Sequence, residues 1–114
     1  MEFKTRGIGD IVIYDIRWEF KVVEDASVEL NQDVKNHLEE GKRNFIFNLK
    51  DVDYMDSDGL GEILGSYISI SNREGMLKLS NLAPKIHLMF QAAGLTKVFQ
   101  IFDDEEEAIE NYSE

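Results

Sequence analysis

The chain has 114 residues, with one proline, eight glycines, no cysteine and a net charge of −11 from 23 acids against 12 bases. That length suits one domain around one core, and the lack of cysteine excludes disulfides and thiolate metal sites. A field this negative repels a phosphate backbone, which argues against nucleic acid as partner, and no apolar run approaches the roughly 20 residues of a membrane span.

The first residues, Met1-Glu2-Phe3-Lys4, lack the basic-then-apolar pattern of an export signal, so cytoplasmic residence without a membrane anchor is expected. Residues 3–6 predict a short strand closed by the turn cluster Gly7-Ile8-Gly9-Asp10. Residues 11–20, rich in Ile, Val, Tyr and Trp, predict a second strand that pairs with it as an antiparallel hairpin. Between 25 and 40, Leu30, Val34 and Leu38 recur at helical spacing, and Gly41 stands where a helix C-terminal stop belongs. A buried strand follows at 44–49, with Phe-Ile-Phe at its centre.

From Leu60 the apolar positions 60, 63, 64, 67 and 68 make one face of a helix that fades before Gly75. Residues 76–79 form another strand. Pro84 then opens a helix with Ile86, Met89, Phe90 and Ala93 on one face and Gly94 at its end. Residues 98–102 make the last strand. The acidic run 103–107 reads as the start of a final helix, where acids face the positive end of the dipole, with Ala108, Ile109 and Tyr112 inward. The order β-β-α-β-α-β-α-β-α predicts an α/β fold spanning 1–114 as one domain. Its sheet is mixed and mostly parallel, with right-handed crossovers and an N-terminal antiparallel hairpin.

Chemistry concentrates in Asp56-Ser57-Asp58-Gly59-Leu60, which places a hydroxyl at a strand-to-helix junction. A serine there is commonly the helix cap, its oxygen satisfying a free backbone N–H. It is equally a place to be modified, because a phosphate finds unpaired N–H groups and the dipole's positive end. Gly59 would let another chain come close. Asp56 and Asp58 as an acid–base pair need separated pKa values and a third polar group, and Lys50 alone does not supply one.

The glycines 59, 61 and 65 miss the spacing of a dinucleotide loop, because the third falls one residue late. His37 and His87 lie on different helices without ligand spacing, so no metal is expected. No other cofactor is called for either. Trp18-Glu19-Phe20-Lys21 ends the second strand as core-edge packing or as a loop beside Ser57 that meets a partner, since strand ends and helix starts gather at one end of such a fold.

Residues 45–67, FIFNLKDVDYMDSDGLGEILGSY, together with Leu77-Lys78-Leu79-Ser80-Asn81, Ala93-Gly94-Leu95 and Val98-Phe99, resemble the STAS domain of anti-sigma factor antagonists. The resemblance covers essentially the full chain. It implies a binding module without catalysis of its own, which captures a serine/threonine kinase doubling as an anti-sigma factor and so regulates sigma-dependent transcription. The kinase would phosphorylate Ser57 and thereby be released, with a phosphatase as a further partner. Asp56, Ser57, Asp58, Gly59 and Leu60, the outer face of the following helix at Glu62 and Ser66, and Phe20 and Lys21 are the expected contact residues. Two positions depart from the family pattern. Asp58 stands where members commonly carry a small or hydroxylated residue, and Trp18-Glu19-Phe20-Lys21 where relatives often have Gly-x-Leu-Asp. The alternative is a constitutive adaptor of the same fold, in which the Asp58 charge makes phosphorylation redundant.

Overall fold

The computed structural model describes residues 1–18 and 30–113. Chain order is β1 (Glu2–Ile8), β2 (Ile11–Trp18), α1 (Leu30–Glu39), β3 (Asn44–Val52), α2 (Ser57–Asn72), β4 (Met76–Ser80), α3 (Pro84–Ala92), a 3-10 turn at Leu95–Lys97, β5 (Gln100–Phe102) and α4 (Glu105–Tyr112). The sheet order is β1-β2-β3-β4-β5. β1 runs antiparallel to β2, and the pairs β2–β3, β3–β4 and β4–β5 are all parallel. This is the mixed α/β architecture that the alternation of elements predicts.

Strand alternation splits the core. Val12, Tyr14, Ile16 and Trp18 of β2 and Phe45, Phe47 and Leu49 of β3 point to the side that also collects Leu30, Val34, Leu38, Ile63, Ile70, Ile86 and Phe90 from α1, α2 and α3. The opposite side is smaller: Ile11, Ile13 and Ile46 meet Ala108, with Phe102, Ile109 and Tyr112 packed around them. α1 is fixed to the sheet by more than apolar contact. The Tyr14 hydroxyl donates to Asp33 at 2.7 Å and lies 3.0 Å from His37 Nδ1. Burial, and then that hydrogen bond, pushes the Tyr14 phenol far above its ordinary value.

Four boundaries differ from the sequence expectation, each for a physical reason. β1 runs Glu2–Ile8 rather than 3–6, because Gly7 and Ile8 pair with Val12 and Ile11 and only Gly9 and Asp10 make the turn. β3 continues to Val52, whose side chain is buried with the first core. α2 begins at Ser57 rather than Leu60, because Asp56 supplies the cap. The last strand is only Gln100–Phe102: Gly94 turns left-handed at φ 76 and winds the next residues into the 3-10 turn, so Phe99 drops between Tyr67 and Phe90 instead of joining the ladder. The remaining expected span of the first helix, 25–29, lies outside the described residues.

Candidate functional site

β3 delivers the chain to its carboxyl end, and the turn that follows hands it to α2. Asp56 sits in extended backbone, and its carboxylate accepts a hydrogen bond from Gly59 N at 3.0 Å. That is the N-cap geometry, and it removes one of the unpaired donors that every helix start exposes. Ser57 is therefore the first helical residue and not the cap. Its hydroxyl is exposed and makes no hydrogen bond among the described residues. Asp58, in the same turn, is also exposed.

Gly59 has a different reason from the one expected. It is buried, and a Cβ built there would overlap Cη2 and Cζ3 of Trp18. The room at Gly59 is thus filled by the chain's own indole and is not open to a visitor. Trp18 is 8% exposed and stands edge-on to Tyr54 at 6.0 Å between ring centres. The end of β2 is in this way clamped onto the first turn of α2. Leu60 is half-buried against the same core.

The expected outer-face pair is likewise corrected. Ser66 is fully buried, with its Oγ unpaired among the described residues, because it lies nine residues from Ser57. At 3.6 residues per turn that is about two and a half turns, the opposite side of the helix. Glu62 is half-buried and already engaged: its Oε1 accepts from the backbone N–H of Asn31 at 3.2 Å, near the start of α1. Ser69 donates to Asn31 Oδ1 at 3.2 Å, and Gly65 leaves room for the Asn31 amide. Glu62 therefore belongs to the seam between α1 and α2. Phe20 and Lys21 lie outside the described residues. What the structure brings together at one exposed turn is Asp56, Ser57 and Asp58.

A groove of about 780 Å³ lies across the sheet, beside α4, and none of its lining residues belongs to the Ser57 turn. At its floor Arg6 grips two carboxylates. It reaches Asp15 at 2.6 and 2.8 Å and Glu105 at 2.6 and 3.2 Å, while Asn48 donates to Glu105 at 2.8 Å. The Arg6 hydrogen bond outweighs burial and holds the Glu105 carboxyl below the usual carboxylate range. These groups satisfy one another. No cluster of three metal-binding side chains occurs among the described residues, and no helix among them is long and apolar enough to cross a membrane.

Comparison with known proteins fits this picture. The sequence model of the STAS domain matches residues 2–108. The anti-sigma F factor antagonist of Paenibacillus polymyxa is 36% identical over 64 residues, 56% of this chain and 55% of that protein. The anti-sigma-B factor antagonist of Bacillus subtilis (strain 168) is 42% identical over 53 residues, 46% of this chain and 49% of that protein. The matches thus span about half the length of these curated relatives. Among solved structures, the anti-sigma factor antagonist SpoIIAA in its unphosphorylated form superposes with a TM-score of 0.81 over 98% of this chain and 96% of that one, at 24% identity. Its phosphorylated form, from Bacillus, superposes with a TM-score of 0.72 over 97% of this chain and 99% of that one, at 23% identity.

Proposed function

Because the chain belongs to the STAS domain family, we propose that it is a cytoplasmic anti-sigma factor antagonist that docks on its partner through the first turn of α2 and is switched by phosphorylation of Ser57. The observation that carries this reading is the division of labour at that turn. Asp56 does the capping, so the Ser57 hydroxyl is exposed and uncommitted at the helix start. A kinase can reach a group in that position without unfolding anything. The curated relatives named above are antagonists of anti-sigma factors, and SpoIIAA exists in both forms.

The physics of the switch is local. A phosphate brings about −1.5 to −2 charges at neutral pH. The positive end of α2 and its free N–H groups accept such a group, so the helix survives the modification. Asp56 and Asp58 flank it with like charge, and a closely packed partner would have to desolvate the whole cluster. Breaking a buried contact of this kind costs roughly 2–5 kcal/mol, and about 3 kcal/mol is some hundredfold in affinity. The partner is an anti-sigma factor that is also a serine/threonine kinase, and a phosphatase resets the switch.

Two measurements test this. Mass spectrometry after incubation with the host's anti-sigma kinase and ATP should place one phosphate on Ser57. Pull-down should show the native chain and Ser57→Ala binding the unmodified partner alike, and Ser57→Glu binding roughly a hundredfold more weakly. Equal capture by all three would point instead to a constitutive adaptor. The exposed carboxylate of Asp58, already beside the acceptor, is the feature that favours that second reading.

A further inference from the structure

The two faces of the sheet are covered unequally. On one, α1 buries Leu30, Val34 and Leu38, and α2 buries Ile63 and Ile70. On the other, α4 contributes Ala108 to the smaller core, with Ile109 and Tyr112 partly buried beside it. Residues 103–110 also hold six acids, Asp103, Asp104, Glu105, Glu106, Glu107 and Glu110, in a chain of net charge −11. A methyl group removes little apolar area from water, and like charge opposes docking. Apolar burial is therefore a smaller part of what holds α4 than of what holds α1 or α2.

Polar contacts hold it at both ends. The strand register sets Arg6, Ile13, Ile46 and Lys78 in one row across β1 to β4, two isoleucines between two cations. α4 spans that row. At its start Glu105 accepts from Arg6 at 2.6 and 3.2 Å. Towards its end Asn111 Oδ1 accepts from the Lys78 ammonium at 2.8 Å, which lies 4.4 Å from the centre of the Tyr112 ring. The Tyr112 hydroxyl donates to Phe45 O at 2.7 Å, with Met76 O 2.9 Å away. Lys78 is 3% exposed, and an ammonium in that position has given up its hydration. Lifting α4 returns Lys78, Arg6 and Glu105 to water, so hydration offsets much of each broken polar contact. The larger core, on the opposite face, loses nothing.

We propose that α4 is a releasable strap, which lifts from the sheet as a unit and returns while the five strands and the other helices stay folded. Open, it uncovers the row Arg6, Ile13, Ile46 and Lys78, an apolar strip bracketed by cations. The strap is independent of the Ser57 reading, because it lies on the face opposite α2.

The chain has no cysteine, so a single introduced thiol reports opening without background. Ala108→Cys places one beneath α4 and Val34→Cys places one in the larger core, both at positions that are 0% exposed. The full chain is labelled with an aromatic disulfide reagent at urea concentrations below the unfolding transition. Ala108→Cys should react at least a hundredfold faster than Val34→Cys. Its rate should scarcely depend on urea, because local opening exposes little surface, whereas the Val34→Cys rate should climb steeply. Adding Tyr112→Phe to Ala108→Cys should speed labelling about fivefold, as expected for the loss of one net hydrogen bond. Amide exchange of the native chain, read by mass spectrometry, makes the same comparison without substitutions and decides if Ala108→Cys itself disturbs the packing: peptides from α4 should exchange well before those from β2 and β3. Equal rates with equal urea dependence at the two thiols, α4 amides that exchange only together with those of β3, or a labelling rate indifferent to Tyr112→Phe each overturn the proposal.

Discussion

α2 and α4 begin in the same way and end up with different duties. Each follows a strand, each is capped by an aspartate, and each cap accepts from the backbone three residues on: Asp56 from Gly59 N at 3.0 Å, Asp104 from Glu107 N at 2.8 Å. The residue after the cap makes the difference. In α4 it is Glu105, which Arg6 and Asn48 tie to the sheet. In α2 it is Ser57, exposed and tied to nothing among the described residues, while the anchoring falls to the buried Gly59 beneath Trp18. A helix start whose first residue is engaged is a structural joint. One that is anchored through its third residue leaves the first free to be read by another molecule.

The sharpest way to break this comparison is to remove the anchor of α2. Gly59→Ala drives a methyl into the Trp18 indole, so the first turn must shift or the ring must leave its place. Overpacking of this kind costs about 1–3 kcal/mol, and the upper end applies because the indole is 8% exposed and backed by Tyr54. Urea unfolding should show it. Adding Trp18→Leu to Gly59→Ala should recover part of the loss, a coupling that two unrelated sites would not show.

The anchor of α4 is electrostatic and should yield to acid instead. Arg6→Met should cost about 1 kcal/mol near neutral pH, a figure held down because the guanidinium side chain is 41% exposed. Glu105 is held below the usual carboxylate range in the folded state, so its contribution is complete above its unfolded value of about 4.3 and is lost as pH falls through the folded value. The native chain therefore loses stability with acidification below about pH 4. Arg6→Met, lacking the group that lowers this carboxyl, should lose less over the same window. Parallel melts across that range would sink the idea if the two slopes coincide.

The two helix starts also show what a sequence reveals about itself. Local chemistry was legible: the acidic run at 103–107 opens α4, Gly94 ends the α3 region in a left-handed turn, and the apolar spacing of 60, 63, 64, 67 and 68 marks a helix. Contacts between distant residues were legible only in outline: the end of β2 was expected beside Ser57 or at the core edge, but not Trp18 packed on Gly59. Arg6 and Glu105 are 99 positions apart, and no periodicity joins them. Gly59 looked like a loop glycine beside a hydroxyl because its partner, Trp18, stands on another strand. Ser66 looked outward because polar residues in helical patterns are normally solvated, and a serine with a buried, unpaired hydroxyl breaks that rule. Residues whose role is set by the next turn could be read. Those whose role is set across the sheet needed coordinates.

The smallest expected effect is also the most discriminating one. If Asp56 carries the cap, Asp56→Ala should cost about 1 kcal/mol, as should Asp104→Ala at the matching position of α4. Ser57→Ala should then change stability by no more than about 0.5 kcal/mol, since the exposed hydroxyl has no hydrogen bond to lose among the described residues and alanine is the better helix former. Denaturant titration of the three variants decides this directly. A Ser57→Ala loss comparable to that of Asp56→Ala would mean the hydroxyl is part of the capping, and a group the fold depends on is a poor one to surrender to a phosphate. A silent Ser57→Ala leaves the hydroxyl with no role inside the molecule, so any selection for serine at this position acts through what binds or modifies it.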